Sequence, residues 1–369
     1  MNELMIVIPP LFTQTNPMVF ALYFSCLIGV FGSAFVDPVH VTDRLTTTRD
    51  GVGIFYQSWS VPEPTALVYI THGMAEHSGR YDSFARELAL SLNAKIVAHD
   101  HRGHGRTACG NDVDHTTNLG IMERRPVSGS TDALTLMAQD TLSLIEATID
   151  DEHDLPIFLF GHSMGSVVAR LVLRHADRRI QLMLRGVVLS GVPTVPAKYE
   201  YYPLMGLGYA IKFARGIGQE FVQKNLVTGK FDSAVKSKTK VANVPENGFI
   251  SSDLAAVAAY NDDPLSGHLV EMDILISIAH NLGLMQDAAT FFGPLGEIEL
   301  PFLFISGRDD PVCEFGKTAA SDAEKLSALG HRVTEVYIGD CRHEFLNEAE
   351  HIQRIGKNQV IAWIKSQLE

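Results

Sequence analysis

Short apolar runs alternate with amphipathic stretches along most of the chain. The runs with the composition of buried strands lie at 66–70, 94–99, 157–160, 186–190, 302–306 and 333–338. Between them, apolar residues recur at the spacing of one helix face, as in the predicted helices over 81–92 and 351–367. Strands that alternate with helices form a mostly parallel sheet that is covered on both faces. The pattern therefore predicts an α/β fold with a mostly parallel central sheet.

The alternation breaks within residues 193–299. Apolar residues from Leu275 to Leu282 follow steps of three and four, which is the spacing of a single helix face. We therefore predict that 193–299 form a helical cap inserted between the sixth and seventh strands. Residues 40–192 and 300–369 are then expected to form the core of the fold.

Residues 1–39 are predicted to form an extension ahead of this core. No charged residue lies between Glu3 and Asp37, and the stretch 18–36 is almost wholly apolar. As a helix this stretch would span about 28 Å, close to the thickness of a bilayer core. We expect a single transmembrane anchor, and hence a membrane-associated protein. A signal peptide cut near Ala34, or an extension or helix of the fold, are the alternatives, and they would give a secreted or a cytoplasmic protein.

Composition and charge exclude some classes of function. The formal net charge of −13 argues against a nucleic-acid partner, which would need a basic surface. A hydrophobic content of 46% is ordinary for a packed globular protein. The four cysteines show neither a CxxC pair nor the spacing of metal ligands, so no disulfide framework is expected. They are Cys26, Cys109, Cys313 and Cys341.

The stretch 158–166 (FLFGHSMGS) carries the clearest chemical signal. An apolar strand runs into Gly-x-Ser-x-Gly, and a helical pattern follows at once. This arrangement is typical of a nucleophile elbow, which holds a serine at the apex of a sharp turn. Only small residues fit two positions before and after such a serine, and Gly161 and Gly165 stand there. We predict that Ser163 is a nucleophile rather than part of a glycine-rich turn.

A serine nucleophile needs a base, and the base needs an orienting acid. Asp310 follows the predicted strand 302–306 and directly precedes a Pro-Val pair that restarts the chain. Asp309 is the rival acid, and its alternative role is to cap the turn. His343 lies just past the strand 333–338, and we predict that it is the base. Cys341 lies nearby and is expected to be a small apolar filler.

An oxyanion site completes such chemistry, because backbone N–H groups can stabilise a carbonyl oxygen as it gains charge. One donor is expected to be the amide of Met164, which follows the nucleophile. The other is expected to be the amide of Met74, in the loop after the strand 66–70. The alternative for His72 and Gly73 in this loop is a simple strand-ending turn.

Three histidines close to Asp100 raise the question of a metal site. No Cys or Glu partner stands at ligand spacing from His99, His101 or His104. We therefore predict no metal site and no cofactor.

Three motifs together resemble the monoglyceride lipase and lysophospholipase branch of the α/β-hydrolases, which is also described as serine aminopeptidase S33-like. They lie at 72–81 (HGMAEHSGRY), 100–105 (DHRGHG) and 161–165 (GHSMG). The stretch 256–265 also resembles the lid region of that branch. The similarity runs from about Thr46 to the C-terminus.

The resemblance implies an α/β-hydrolase fold, with helices on both faces of the sheet and an inserted helical cap. It also implies Ser163, Asp310 and His343 as a triad, with the Met74 and Met164 amides as the oxyanion hole. The implied reaction is hydrolysis of carboxyl esters in monoacylglycerols or lysophospholipids, so a lipid ester is the expected partner. A long loop from about Ala108 to Ser130 and the N-terminal extension depart from the branch.

Other functions remain as alternatives. An aminopeptidase of the proline-iminopeptidase type usually carries a His-Gly-Gly-Pro loop, which the stretch 72–75 lacks. A non-catalytic binding protein with this fold commonly lacks a member of the triad, whereas each member has a candidate here. The apolar residues of the cap would either line a pocket for an acyl chain or close the core of the cap itself.

Overall fold

An eight-stranded sheet with the order β1-β2-β4-β3-β5-β6-β7-β8 forms the centre of the fold. The computed structural model describes residues 37–110, 116–122, 132–149, 155–194, 206–211, 218–241, 243–296 and 298–369. The strands are β1 (His40–Thr47), β2 (Gly53–Ser60), β3 (Ala66–Thr71), β4 (Ala94–His99), β5 (Ile157–His162), β6 (Leu184–Ser190), β7 (Phe302–Gly307) and β8 (Val333–Ile338). β2 pairs antiparallel with β1 and β4, and every other described pairing is parallel.

Alternate residues of the central strands enter two different apolar clusters. In β5, Ile157 and Leu159 belong to the cluster on one face of the sheet, whereas Phe158 and Phe160 belong to the other. Successive side chains of a strand point to opposite faces, so a strand covered on both sides is apolar at every position. This explains the continuous apolar runs in the sequence and confirms the predicted α/β fold class.

Helices cover both faces of the sheet. The longer helices and short helical segments of the described residues are α1 (Asp82–Leu92), α2 (Gly105–Cys109), α3 (Ala133–Ile149), α4 (Met164–His175), α5 (Arg178–Met183), α6 (Gly229–Thr239), α7 (Leu254–Asp262), α8 (Met272–Leu284), α9 (Ala288–Phe292), α10 (Lys317–Ala328) and α11 (Glu350–Leu368). Helices α3 and α4 contribute to one apolar cluster, and α1 and α11 contribute to the other.

Within the described residues, helices α6 to α9 lie between β6 and β7, where the sequence predicts a cap. A helical stretch at 206–211 and a segment that joins Gln219–Phe221 to a π-helix at Val222–Thr228 precede α6. The sequence predicts that Leu275, Ile278 and Leu282 share one face of α8. In the structure this face packs into the apolar cluster that contains Ile157 and Leu159. These residues therefore join α8 to the sheet domain as well as to its neighbours. The boundaries 193–299 stay a prediction.

The predicted membrane span at 18–36 lies outside the described residues. Among the helices of the described ranges, none combines the length and the apolar character that crossing a bilayer requires. Most of the loop from Ala108 to Ser130 also lies outside the described residues.

Candidate active site

Ser163 lies between the end of β5 and the first residue of α4, with φ 52° and ψ −120°. A positive φ is rare for a residue with a side chain and is found where the surrounding structure enforces it. The two glycines allow this turn. A Cβ built on Gly165 would lie 1.9 Å from the Thr71 carbonyl oxygen, and one on Gly161 would lie 2.5 Å from the Gly165 carbonyl oxygen. The sharp turn and the close approach of α4 to β3 therefore both require glycine at positions 161 and 165.

Asp310 and His343 lie in the loops that follow β7 and β8, at the same edge of the sheet as Ser163. The Nδ1 atom of His343 is 2.9 Å from Asp310 Oδ2, and both side chains are buried. The Val312 amide donates to Asp310 Oδ1 at 2.8 Å, which fixes the carboxylate. Of the two adjacent aspartates it is Asp310 that contacts the histidine, while Asp309 is partly exposed.

The contact between His343 and Asp310 shifts the pKa values of both side chains. Burial by itself lowers the pKa of His343, but the charge of Asp310 and the hydrogen bond to it outweigh burial, so the pKa is raised above its ordinary value. Burial by itself raises the pKa of Asp310, but His343 and the Val312 amide hold the pKa below its ordinary value. The pair therefore favours an ionised Asp310 and makes His343 a stronger base than a free imidazole.

The ring of His343 lies against Gly191 and His162. A Cβ on Gly191, which follows β6 with φ +57°, would lie 2.8 Å from His343 Cε1. The ring of His162, next to the serine, lies 4.7 Å from the ring of His343. Among the described residues, the hydrogen bonds of His343 run to Asp310 and Phe249, and none joins its ring to the Ser163 hydroxyl. Such bonds are often long before a substrate is bound.

The loop after β3 lies beside the serine. A Cβ on Gly73 would lie 3.3 Å from the Cβ of Ser163. Met164 is the first residue of α4, where the backbone N–H has no partner within the helix. Within the described residues, the Met74 amide donates to no backbone oxygen outside regular helices and strands. Both amides are therefore available to an oxygen atom near Ser163.

A buried ionic bridge that the sequence analysis does not anticipate joins this loop to the loop of His343. Glu76 accepts a hydrogen bond from the Gly73 amide at 2.5 Å and from Arg80 Nη1 at 2.5 Å. Arg80 also donates to both carboxylate oxygens of Glu344, at 3.1 and 2.7 Å. Burial by itself raises the pKa of Glu344, but Arg80 lowers that pKa to about 2. The bridge therefore joins the loop that contains Gly73 and Met74 to the loop that contains His343.

The segment between β6 and β7 also reaches the site. The carbonyl oxygen of Phe249 accepts a hydrogen bond from the His343 amide at 3.2 Å, and the two rings lie 5.8 Å apart. Tyr260 donates to the Ala75 carbonyl oxygen at 3.1 Å. His77 Nε2 lies 2.8 Å from Asp263 Oδ2, within hydrogen-bond distance. The periodicity of the sequence does not predict that Phe249 contacts His343, because this contact depends on how distant segments pack.

The histidines around Asp100 pack against one another. The ring of His101 lies 4.2 Å from that of His72 and 4.7 Å from that of His99. Burial lowers the pKa of His99 and of His104 to about 4, so both are neutral near pH 7. In the described part of the chain, no group of three or more His, Cys, Asp or Glu residues is arranged to hold a metal ion.

Cys341 is fully buried in an apolar cluster, and burial raises the pKa of its thiol. A thiol of raised pKa is a poor nucleophile at neutral pH. The residue therefore fills space beside the site, as its sequence position indicates.

Comparison with known proteins places the chain among hydrolases. The family described as "Serine aminopeptidase, S33" matches residues 62–350. The monoglyceride lipase of Mus musculus is 29% identical over 86% of this chain and 89% of its own length. The monoacylglycerol lipase of Mycolicibacterium smegmatis is 26% identical over 86% of this chain and 95% of its own length. A carboxyl esterase from Bacillus coagulans has a similar structure, with a TM-score of 0.71 and 24% identity over 89% of this chain and 99% of its own.

Proposed function

The chain belongs to the serine aminopeptidase S33 family, and from that premise we propose that it hydrolyses carboxyl esters of lipids. The proposed substrates are monoacylglycerols or lysophospholipids, which are cleaved to a fatty acid and an alcohol. The observation that carries this proposal is the 2.9 Å contact between His343 and Asp310 at the sheet edge where Ser163 forms a strained elbow.

In the first step Ser163 Oγ attacks the ester carbonyl carbon, and His343 Nε2 takes the serine proton. Asp310 accepts the hydrogen bond of His343 Nδ1, which leaves Nε2 free to act as the base. The Asp310 carboxylate also stabilises the imidazolium that forms. This agrees with the raised pKa of His343.

The negative charge that develops on the substrate oxygen is held by the amides of Met74 and Met164. Each such donor is typically worth about 3 kcal/mol of the barrier, because it needs no reorganisation during the reaction. His343 then gives its proton to the leaving alcohol, and an acyl-enzyme remains on Ser163. Water, activated by the same histidine, releases the fatty acid. No step in this sequence requires a cofactor.

The choice of a lipid ester rests on two supports. Relatives that cover most of this chain carry the names monoglyceride lipase and monoacylglycerol lipase. Within the segment 193–299, which we propose to be a cap, Phe249 lies against His343, and further apolar side chains form two small clusters. An apolar cap would suit an acyl chain, and the exclusion of water would strengthen the electrostatic interactions at the reacting ester.

Hydrolysis of defined substrates tests the proposal. The full chain, and a chain beginning at His40 where β1 starts, would be given a monoacylglycerol, a lysophosphatidylcholine and an aminoacyl amide. We expect fatty acid release from at least one of the two lipids and none of the amine from the amide. Cleavage of the amide alone would instead support an aminopeptidase. Absence of all three reactions in folded protein would refute the proposed function.

The pH dependence of the rate should report His343. Only the neutral imidazole accepts a proton, so kcat/KM should fall about tenfold per pH unit below the pKa of His343. That pKa lies above the ordinary 6.5, so the acid limb should begin nearer neutrality than for a free imidazole. The measurement is a pH–rate profile with an uncharged ester. His351→Gln, at an exposed histidine of α11, should leave the limb unchanged, and a flat profile would contradict the role of His343.

Membrane association stays a proposal that rests on the sequence. We propose that the apolar residues 18–36 anchor the full chain to lipid bilayers. The full chain should sediment with phosphatidylcholine vesicles through an alkaline wash, whereas the chain beginning at His40 should be removed by that wash. Recovery of the washed full chain in the supernatant would exclude an anchor.

A further inference from the structure

A buried cation outside the proposed catalytic groups lies on α4, about 10 Å along the helix from Ser163. The Arg170 side chain is 2% exposed. Its Nε donates to the Ser166 carbonyl oxygen at 3.1 Å, and its Nη1 donates to Asp322 Oδ2 at 2.8 Å. The remaining nitrogen, Nη2, is buried and donates to no atom of the described residues. A buried N–H group of a charged side chain without an acceptor is costly.

The charges around Arg170 do not balance. Asp322 is shared between two cations, because its Oδ1 lies 3.2 Å from Lys325 Nζ. Burial lowers the pKa of Arg170 below its ordinary value, even with Asp322 beside it. Two positive groups and one carboxylate leave an excess of one positive charge at this cluster. An anion at this point would be attracted by both cations.

A narrow cleft with room for about one water molecule, partly open to solvent, lies at this cluster between α4, α9 and α10. Its charged wall consists of Arg170, Asp322 and Lys325. The rest of its lining includes the apolar side chains of Met285, Phe292 and Leu326. A small anion, close to a water molecule in size, would fit this space beside the two cations.

We propose that this cleft binds a small univalent anion, such as chloride, with Arg170 Nη2 as its principal donor. A univalent anion cancels the excess charge, whereas a divalent anion would leave a buried negative charge without a partner. The site is separate from the proposed catalytic groups and does not depend on the proposed function.

A bound anion would also stabilise the start of α4. The Ser166 carbonyl oxygen accepts from Arg170, and the Ser166 hydroxyl donates to the Ser163 carbonyl oxygen at 2.6 Å. An anion that holds the guanidinium in place therefore supports the turn at Ser163. The expected result is a more stable folded chain, without a change in the chemistry of hydrolysis.

Thermal unfolding of the full chain tests the site. Melting temperatures would be measured in sodium propionate, sodium chloride and sodium sulfate at one ionic strength. We expect a saturable rise of about 2 °C in chloride over sulfate, since a ligand that binds only the folded state stabilises it by mass action. The same saturable rise in propionate would support a site for univalent anions in general.

Two variants link the rise to the cleft. Arg170→Met should abolish it. Because that variant removes a buried ion pair and can fail to fold, Lys325→Gln provides a second test at a partly exposed side chain of the cleft. Lys325→Gln should also abolish the rise, whereas Lys365→Gln, at an exposed lysine of α11, should retain it. Equal effects of the three salts, or a rise that persists in Lys325→Gln, would overturn the proposal and leave the cleft as a water site.

Discussion

Replacing Ser163 with alanine should lower kcat/KM for an ester by about 10⁴- to 10⁶-fold, because no other group can form the acyl-enzyme. The chain should remain folded. The hydroxyl of Ser163 forms no hydrogen bond with the described residues that supports the fold, and the strained backbone at φ 52° is held by its neighbours. A loss of this size would identify the serine as the nucleophile, whereas loss of a binding contact alone would cost far less.

Steady-state hydrolysis of a p-nitrophenyl ester, together with circular dichroism of both proteins, measures this expectation. Ser143→Ala is a matched control, since the Ser143 hydroxyl donates to the Gln139 carbonyl oxygen on the surface of α3. The control should keep the full rate. A fluorophosphonate probe should label the original chain and not Ser163→Ala. Undiminished turnover by Ser163→Ala would remove the basis for the proposed mechanism.

Gly165→Ala should destabilise the fold by roughly 3–5 kcal/mol, which is large for a single methyl group. The added Cβ would lie 1.9 Å from the Thr71 carbonyl oxygen and 2.6 Å from that of His72. Both are backbone atoms, so no flexible side chain can move aside. Relief of the clash requires α4 to move away from β3, and that movement would also shift Ser163 from the loop that carries Met74.

Urea unfolding of the full chain measures the expected loss, and the midpoint should fall without a change in slope. Gly339→Ala is the matched control, because a Cβ built there meets no atom within 4 Å. Its midpoint should change little. If Gly165→Ala unfolded at the same urea concentration as the control, the close packing of α4 on β3 would not be a constraint on this fold.

The fold and much of the candidate site follow from local sequence patterns. Apolar runs such as 157–160 are continuous because both faces of the strand are covered. The stretch 161–165 is recognisable because a strained turn and a close helix approach each demand a residue without a side chain. The order of Asp310 and His343 along the chain follows from the positions of successive strand ends.

Other features depend on contacts between distant segments. Arg80 and Glu344 are 264 residues apart and meet only because the sheet order brings their loops together. Phe249 reaches His343 through the packing of a segment that has no fixed periodic relation to the strands. Neither contact can be predicted from a short stretch of sequence. The contact between Glu76 and Arg80 is different, because the two residues are four positions apart, which is the spacing of an ion pair on a helix.

By itself, the sequence determined the class of fold, the elbow at Ser163 and the residue types available for hydrolysis. These depend on periodicity and on the steric limits of single residues, which act over a few positions. The tertiary structure alone decided that Asp310, rather than Asp309, contacts His343 and that Arg80 joins two loops. It also decided that Arg170 is buried with one nitrogen unpaired among the described residues. Distances between remote side chains are set by how the strands are ordered and how the helices pack on them, and local propensities do not encode that arrangement.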